Sequence, residues 1–299
     1  MSILVFGLMR FLPGDIVDVI SMSEPTMSAA QRAEARSLLG LDQPAPVEYL
    51  HWIGGVMHGD LGHSLWTNQW VGQLILAALP TTVELTVLSI ALSLVIAFPV
   101  GVFSALRANT MVDMVMRTVA VLGISMPSFW FAVLLILLFS KGFGWLPPLT
   151  SVGLLDDPVT NLKQMALPAV TLGWTLSAST MRMIRATMLE TLRQDYLTTA
   201  RAKGLGERVV VVRHALRNAL IPVITVIGLQ LGALFGGAVV IEQVFGLPGV
   251  GWLLLNAINE RDYPVVQGAV LVLATAFVGV NLVVDVAYAY LDPRIRYGR

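Results

Sequence analysis

Few residues of this 299-residue chain are equipped for chemistry, and their spacing excludes most kinds of it. There are no cysteines, which rules out disulfides and thiolate metal sites. The four histidines, His51, His58, His63 and His214, show no paired ligand spacing and no H-E-x-x-H motif. A nucleotide-binding phosphate loop needs G-x-x-x-x-G-K followed by Ser or Thr, with the lysine reaching the phosphates. The only lysines, Lys141, Lys163 and Lys203, fall outside that pattern. Any ATP chemistry must therefore come from another chain.

What remains is a segment suited to mechanical work, between Gln194 and Gly206. Asp195 can cap a helix start and Gly204 can end one in the left-handed conformation. Between them the sequence predicts one helix of about eight residues, Tyr196 to Lys203, with Arg201 and Lys203 in the last turn where the helix dipole favours cations. An isolated helix of that length is unstable in water and needs something to pack against. Small Ala200 and Ala202, with Tyr196 and Leu197, suit insertion into a groove on a partner. A plain connector is the alternative.

The elements that position this segment are apolar. The chain is 56% hydrophobic and only 13% charged, against roughly 25% charged in soluble domains. Zero net charge implies no polyanionic partner, and no nucleic acid is expected. Uncharged runs separate Glu84 from Arg107 (22 residues), Arg117 from Lys141 (23), Lys163 from Arg182 (18), Arg217 from Glu242 (24) and Asp262 from Asp285 (22). Each is long enough to cross roughly 30 Å of hydrocarbon at about 1.5 Å per residue. The expected spans are 83–106, 118–140, 165–187, 218–241 and 264–290. Residues 1–12 read as a partial first span, with no basic region or A-x-A-like site of a cleavable signal peptide. The fold class is an all-α membrane protein of six spans, the first cut short.

Lys and Arg set the orientation. Segments 107–117, 182–217 and 285–299 hold 13 of them, and 10–84, 141–163 and 242–262 hold 6. The first set is expected in the cytoplasm, with the C-terminus. Residues 13–78 then lie outside as a helical insert: Ser28 and Gln31 form a capping-box pattern, Pro44 and Pro46 break the chain, a helix runs from about Val47 to His58 with Gly59 as its stop, and a short helix over 71–79 leads into the second span. Docking is favoured over decoration for a loop this long. Residues 79–299 form the core, with a cytoplasmic loop at 190–217. Within the spans Pro99, Pro127, Pro168 and Pro222 are candidate kinks. Gly228, Gly232 and Gly236 line one helix face for close packing, and 246–259 suits an interfacial or re-entrant helix.

The stretch from Tyr196 to Pro222, with Ala200, Ala202, Gly204, Arg213, His214, Ala215, Leu216, Arg217, Asn218 and Ile221, resembles the coupling-loop signature of ABC importer permeases. More narrowly it is similar to the dipeptide, oligopeptide, glutathione and nickel class. Thr198-Thr199-Ala200 replaces the general Glu-Ala-Ala and the Gly204-to-Pro222 spacing is long, both features of that class. Matches extend through Leu12-Pro13-Gly14-Asp15, Gly40-Leu41-Asp42-Gln43-Pro44, Gly59-Asp60-Leu61-Gly62, Glu242, Val244-Phe245, Pro248-Gly249, Arg261-Asp262-Tyr263-Pro264 and Leu291-Asp292-Pro293-Arg294-Ile295-Arg296.

The resemblance implies a type I importer permease in a bacterial cytoplasmic (inner) membrane. It implies a second homologous permease, two ABC ATPases that bind ATP and Mg, and an extracytoplasmic substrate-binding protein, in contact with membrane lipid. It makes Tyr196, Ala200, Arg201, Ala202, Lys203, Gly204 and Leu205 the coupling residues. Polar span residues that could face the path are Ser125, Ser128, Thr171, Thr175, Gln230 and Asn281, and Asp285 reads as an interface anchor. The chain itself is expected to hold no cofactor or metal and to catalyse nothing. The substrate is expected to be a peptide, with glutathione or nickel as alternatives. A secondary transporter or channel would call for mid-span charges or internal repeats, and an intramembrane enzyme for a nucleophile–base pair. None of these is evident.

Overall fold

A computed structural model of the chain describes residues 2–11, 17, 18, 21, 28–38 and 43–291. The motif residues Leu12 to Asp15, Gly40 to Asp42 and Asp292 to Arg296 lie outside that set, as does the Asp285 side chain. The described helices are α1 (Ser2–Phe11), α2 (Ala29–Leu38), α3 (Ala45–Met57), α4 (Val71–Leu106), α5 (Met111–Ser125), α6 (Ser128–Phe143), α7 (Pro158–Leu192), α8 (Asp195–Ala202), α9 (Glu207–Val209), α10 (Arg217–Phe245), α11 (Val250–Glu260) and α12 (Tyr263–Leu291). Residues Val210–Leu216 are π-helical. By length and apolarity α4 and the Tyr263–Val284 part of α12 could each cross a membrane, and up to five segments qualify if each bent helix pair is one span. The chain divides into two compact units, Met1–Thr82 with Gly246–Thr275, and Val83–Phe245 with Ala276–Arg299.

In the first unit the expected stops and caps are in place. Ser28 Oγ accepts from Gln31 N–H at 3.3 Å while Ser28 N–H donates to Gln31 Oε1 at 2.8 Å, a reciprocal capping box. Pro44 caps α3, and Gly59 turns away from it at φ +83°. Phe6 of α1 meets Tyr49 and Trp52 of α3 at ring distances of 5.5 and 6.1 Å. The helix anticipated at 71–79 does not stop: α4 runs unbroken to Leu106, through Pro80 and Pro99. Val71, Ile75 and Ala78 of α4 pack with Val250, Ala257, Val265, Val266 and Ala269. The loop before α4 is pinned by Asp262, only 2% exposed, which accepts from Ser64 Oγ at 2.5 Å and Leu65 N–H at 3.2 Å.

The second unit is organised around α7, which packs against α5, α6 and α10. Asp157 caps its start by accepting from Val159 and Thr160 N–H at 3.2 and 3.1 Å. The span expected over 118–140 is two helices, α5 and α6, bent by 108°. Met126 is extended at φ −85°, ψ 128°, the conformation forced on a residue before proline, and Pro127 starts α6 without an amide to continue α5. Close helix contact uses glycine: a Cβ on Gly101 would sit 2.9 Å from Ile184 Cβ, and one on Gly123 would sit 3.0 Å from Ala178 Cβ. Gly228 and Gly232 face Val284 and Phe277 in the same way, whereas Gly236 faces nothing within 4 Å. The core of this unit gathers Ala97 and Ala105 of α4, Ala120 of α5, Met181, Ile184 and Met188 of α7, Leu197 and Ala200 of α8, and Val210, Val211 and Ala215.

Candidate coupling site

The eight-residue helix α8 comes after the 35-residue α7 with only a two-residue turn between them, Arg193 and Gln194. Its start is capped by backbone alone: Gln194 is the N-cap and makes no side-chain bond, so Asp195, expected to cap, lies in the first turn instead. Its end is built as the sequence implies. Gly204 stands at φ +82°, and Lys203, Gly204 and Leu205 amides bond back to Thr199, Arg201 and Ala200 carbonyls at 3.1, 2.9 and 3.4 Å.

The helix has two faces. Leu197 is fully buried and Ala200 is 8% exposed, both packed into the core of their own chain. This burial answers how so short a helix holds its shape. The outward face carries Tyr196 and Leu205, 41% and 39% exposed, with Thr198, Thr199, Arg201, Ala202, Lys203 and Gly204. A partner groove would therefore meet this second face and not Ala200.

Three polar ties hold α8 to the segment between Glu207 and Asn218. Tyr196 OH donates to the His214 carbonyl at 3.3 Å and accepts from Asn218 Nδ2 at 2.8 Å. Arg201 grips Glu207 through Nε and Nη2 at 3.0 and 2.9 Å. That pair is exposed, and the guanidinium hydrogen bond holds the Glu207 carboxyl below its ordinary range. The π-helical turn between α9 and α10 carries Arg213 and His214.

The family model for the inner membrane component of binding-protein-dependent transport systems matches residues 97–297, two thirds of the chain and the whole of this site. The chain belongs to that family. It is the permease subunit of an ABC importer. The di/tripeptide transport system permease protein DppB of Pseudomonas aeruginosa is 42% identical, over 100% of this chain and 94% of its own length. The dipeptide transport system permease protein DppB of Alkalihalophilus pseudofirmus is 39% identical, over 99% and 95%. Among solved structures, the inward-facing MetNI methionine ABC transporter matches with a TM-score of 0.59 at 19% identity, over 74% of this chain and 97% of that one. That likeness supports the type I permease fold alone. Such a permease works with ATPase and substrate-binding partners.

The importer permease's candidate path residues are spread over α5, α6, α7, α10 and α12. Ser125 is exposed and Ser128 half-buried on either side of the α5–α6 break. Thr171 is fully buried and donates to the Leu167 carbonyl at 2.8 Å, and Thr175 donates to the Thr171 carbonyl at 3.3 Å, so both hydroxyls serve their own helix. Gln230 accepts from Thr180 Oγ1 at 3.0 Å, joining α10 to α7. Asn281 is half-buried in α12. Sequence reasoning passed over Thr180, Glu207 and, above all, Asp113. The one available signal for Asp113 was a lone acid in the otherwise basic 107–117 segment.

Proposed function

We infer that this chain is the permease half of an ATP-driven peptide importer, and that α8 is the element through which ATPase motion enters it. In this reading the chain pairs with a second homologous permease on two ABC ATPases, which bind ATP and Mg and carry all the hydrolysis. An extracytoplasmic binding protein delivers the substrate, and the C-terminus faces the cytoplasm of a bacterial inner membrane. Tyr196, Arg201, Ala202, Lys203, Gly204 and Leu205 present the docking face, and Ala200 fixes that face from behind. The polar groups Ser125, Ser128, Gln230 and Asn281 remain the candidates to face the path, with Thr171 and Thr175 shaping α7.

The observation that carries the reading is the two-faced α8: held by Leu197 and Ala200 in a core shared with α7 and the π-helical turn, exposed everywhere else, and ended by a left-handed glycine. A rigid helix fixed to a long span and docked in a moving groove biases a two-state equilibrium of that span. The peptide assignment is supported by relatives that bear di/tripeptide and dipeptide names at 42% and 39% identity.

The test is uptake of a labelled dipeptide by proteoliposomes holding the complete complex. Uptake is expected to require both ATP and the binding protein. Uptake driven by a proton or sodium gradient in vesicles holding this chain alone would replace the reading with a secondary transporter.

A further inference from the structure

Asp113, in the first turn of α5, is fully buried, yet it is ionisable. Four groups, from α4, the α4–α5 turn, α7 and α5 itself, converge on it. Ser104 Oγ, near the end of α4, donates to Oδ1 at 2.6 Å. The Asn109 amide, in the turn between α4 and α5, donates to Oδ2 at 3.0 Å. Arg185 of α7 closes a fork, Nε to Oδ1 at 2.7 Å and Nη2 to Oδ2 at 2.8 Å. Arg117 adds a longer contact at 3.7 Å from one turn along α5. Asn109 itself stands at φ +63°, so the carboxylate also holds the turn in a conformation that few residues other than glycine adopt.

A buried carboxylate with every acceptor position filled by fixed donors is a rigid joint, and a planar guanidinium fork allows one relative orientation of the helices it joins. Arg185 lies ten residues before the first residue of α8, on the helix that leads into α8 through the two-residue turn. The apolar neighbours belong to the same block: Ala105 of α4, Ile184 and Met188 of α7, and Leu197 and Ala200 of α8 share one core. At Gly101 the α4 and α7 backbones approach so closely that a Cβ would sit 3.0 Å from the Met181 carbonyl oxygen.

We propose that Asp113 is a positioning residue for energy coupling: through Arg185 it locks the α4–α5 turn to α7, the helix that leads into the coupling helix, so that the ATPase stroke moves α4 and α5 together with α7. The inference rests on α8 being the docking helix, and it adds a route to α4 and α5 that docking alone does not require. Without the joint α8 would still dock and α7 would still move, while the α4–α5 turn would lag behind it.

The test uses the complete complex in proteoliposomes, with Asp113→Asn and Arg185→Lys measured separately. Asp113→Asn removes the charge but keeps one acceptor oxygen. Arg185→Lys keeps the charge and loses the second arm of the fork, so it retains the fold more readily. The expected result is a fall in dipeptide imported per ATP hydrolysed of about tenfold for Asp113→Asn, with a smaller fall for Arg185→Lys. Basal ATP hydrolysis and co-purification of the ATPases should be retained in both. Spin labels at Met111→Cys and Gln194→Cys, in a chain with no native cysteine, should give one distance in both nucleotide states; Asp113→Asn should make that distance depend on nucleotide. Wild-type yield per ATP in Arg185→Lys, or an unchanged label distance in Asp113→Asn, overturns the proposal. An Ala202→Arg control keeps the two readings apart. If it leaves substrate stimulation intact, the docking assignment of α8 has failed; if it abolishes stimulation while the Asp113 and Arg185 variants couple normally, only the joint has failed.

Discussion

Leu197→Ala separates the holding of α8 from its docking, because Leu197 touches only its own chain's core. The side chain is fully buried in the core that also holds Ile184, Met188, Val210 and Val211, and truncation deletes three carbons there. Buried Leu→Ala changes cost about 2–5 kcal/mol, the transfer term plus the cavity left behind. The loss falls on a helix of eight residues that has little stability of its own, so it should appear as local opening. Taking about 3 kcal/mol, the open population of α8 should rise roughly 100-fold, at about 1.4 kcal/mol per factor of ten. Amide hydrogen exchange of the assembled, nucleotide-free complex reads this directly. Amides over 196–205 should lose roughly 100-fold in protection, while those of α7 before residue 185 keep theirs, and substrate-stimulated ATP hydrolysis should fall with them. Unchanged protection over 196–205 would mean that Leu197 does not hold the helix. Equal loss along α7 would mean that the core, and not a local clamp, had been broken. Either result refutes the reasoning.

Other perturbations probe the frame around this site. Gly101→Val would drive a branched side chain into Ile184 and the Met181 carbonyl, and should lower stability by about 1–3 kcal/mol, read as a lower Tm of the detergent-solubilised complex. Asp262→Ala would leave Ser64 Oγ and the Leu65 amide without their buried acceptor, at a cost of about 1–3 kcal/mol, and exchange over 62–70 should quicken while α8 is untouched. The Arg201–Glu207 tie should respond to acid with a definite sign. Because the folded carboxyl is held below its ordinary value of 4.5, the tie contributes fully above that pH and is lost as pH falls through the lower, folded value. Exchange at 204–209 should quicken only on that acid side, and Glu207→Gln should remove the dependence; an equal acid response in the variant would assign it elsewhere.

Local signals were legible in the sequence because they depend on residues close in the chain. The Ser28–Gln31 capping box, the stops at Gly59 and Gly204 and the proline break at 127 each arise from neighbouring side chains. What stayed hidden depends on distance. Asp113 meets Arg185 across 72 residues and Ser64 meets Asp262 across 198, and no local pattern encodes either. The face of α8 was hidden for a related reason. Ala200 and Ala202 are equally small and apolar, and only the packing of α8 on the π-helical turn and the core behind it decides that Ala200 turns inward while Ala202 stays exposed. The 108° turn between α5 and α6 was half visible: Pro127 marks the break, but its angle is set by helices packed on α7.

That packing also changes which residue should be perturbed to test coupling. A bulky charge at Ala200 would disrupt the core, and one at Gly204 would strain a backbone at φ +82°. Ala202→Arg places the bulk on the outward face and leaves both intact. Measured in proteoliposomes holding the complete complex, ATP hydrolysis stimulated by liganded binding protein is expected to fall to its unstimulated rate in Ala202→Arg, with the permease folded and inserted as before. Stimulation at the wild-type level would contradict the assignment of α8 as the coupling helix.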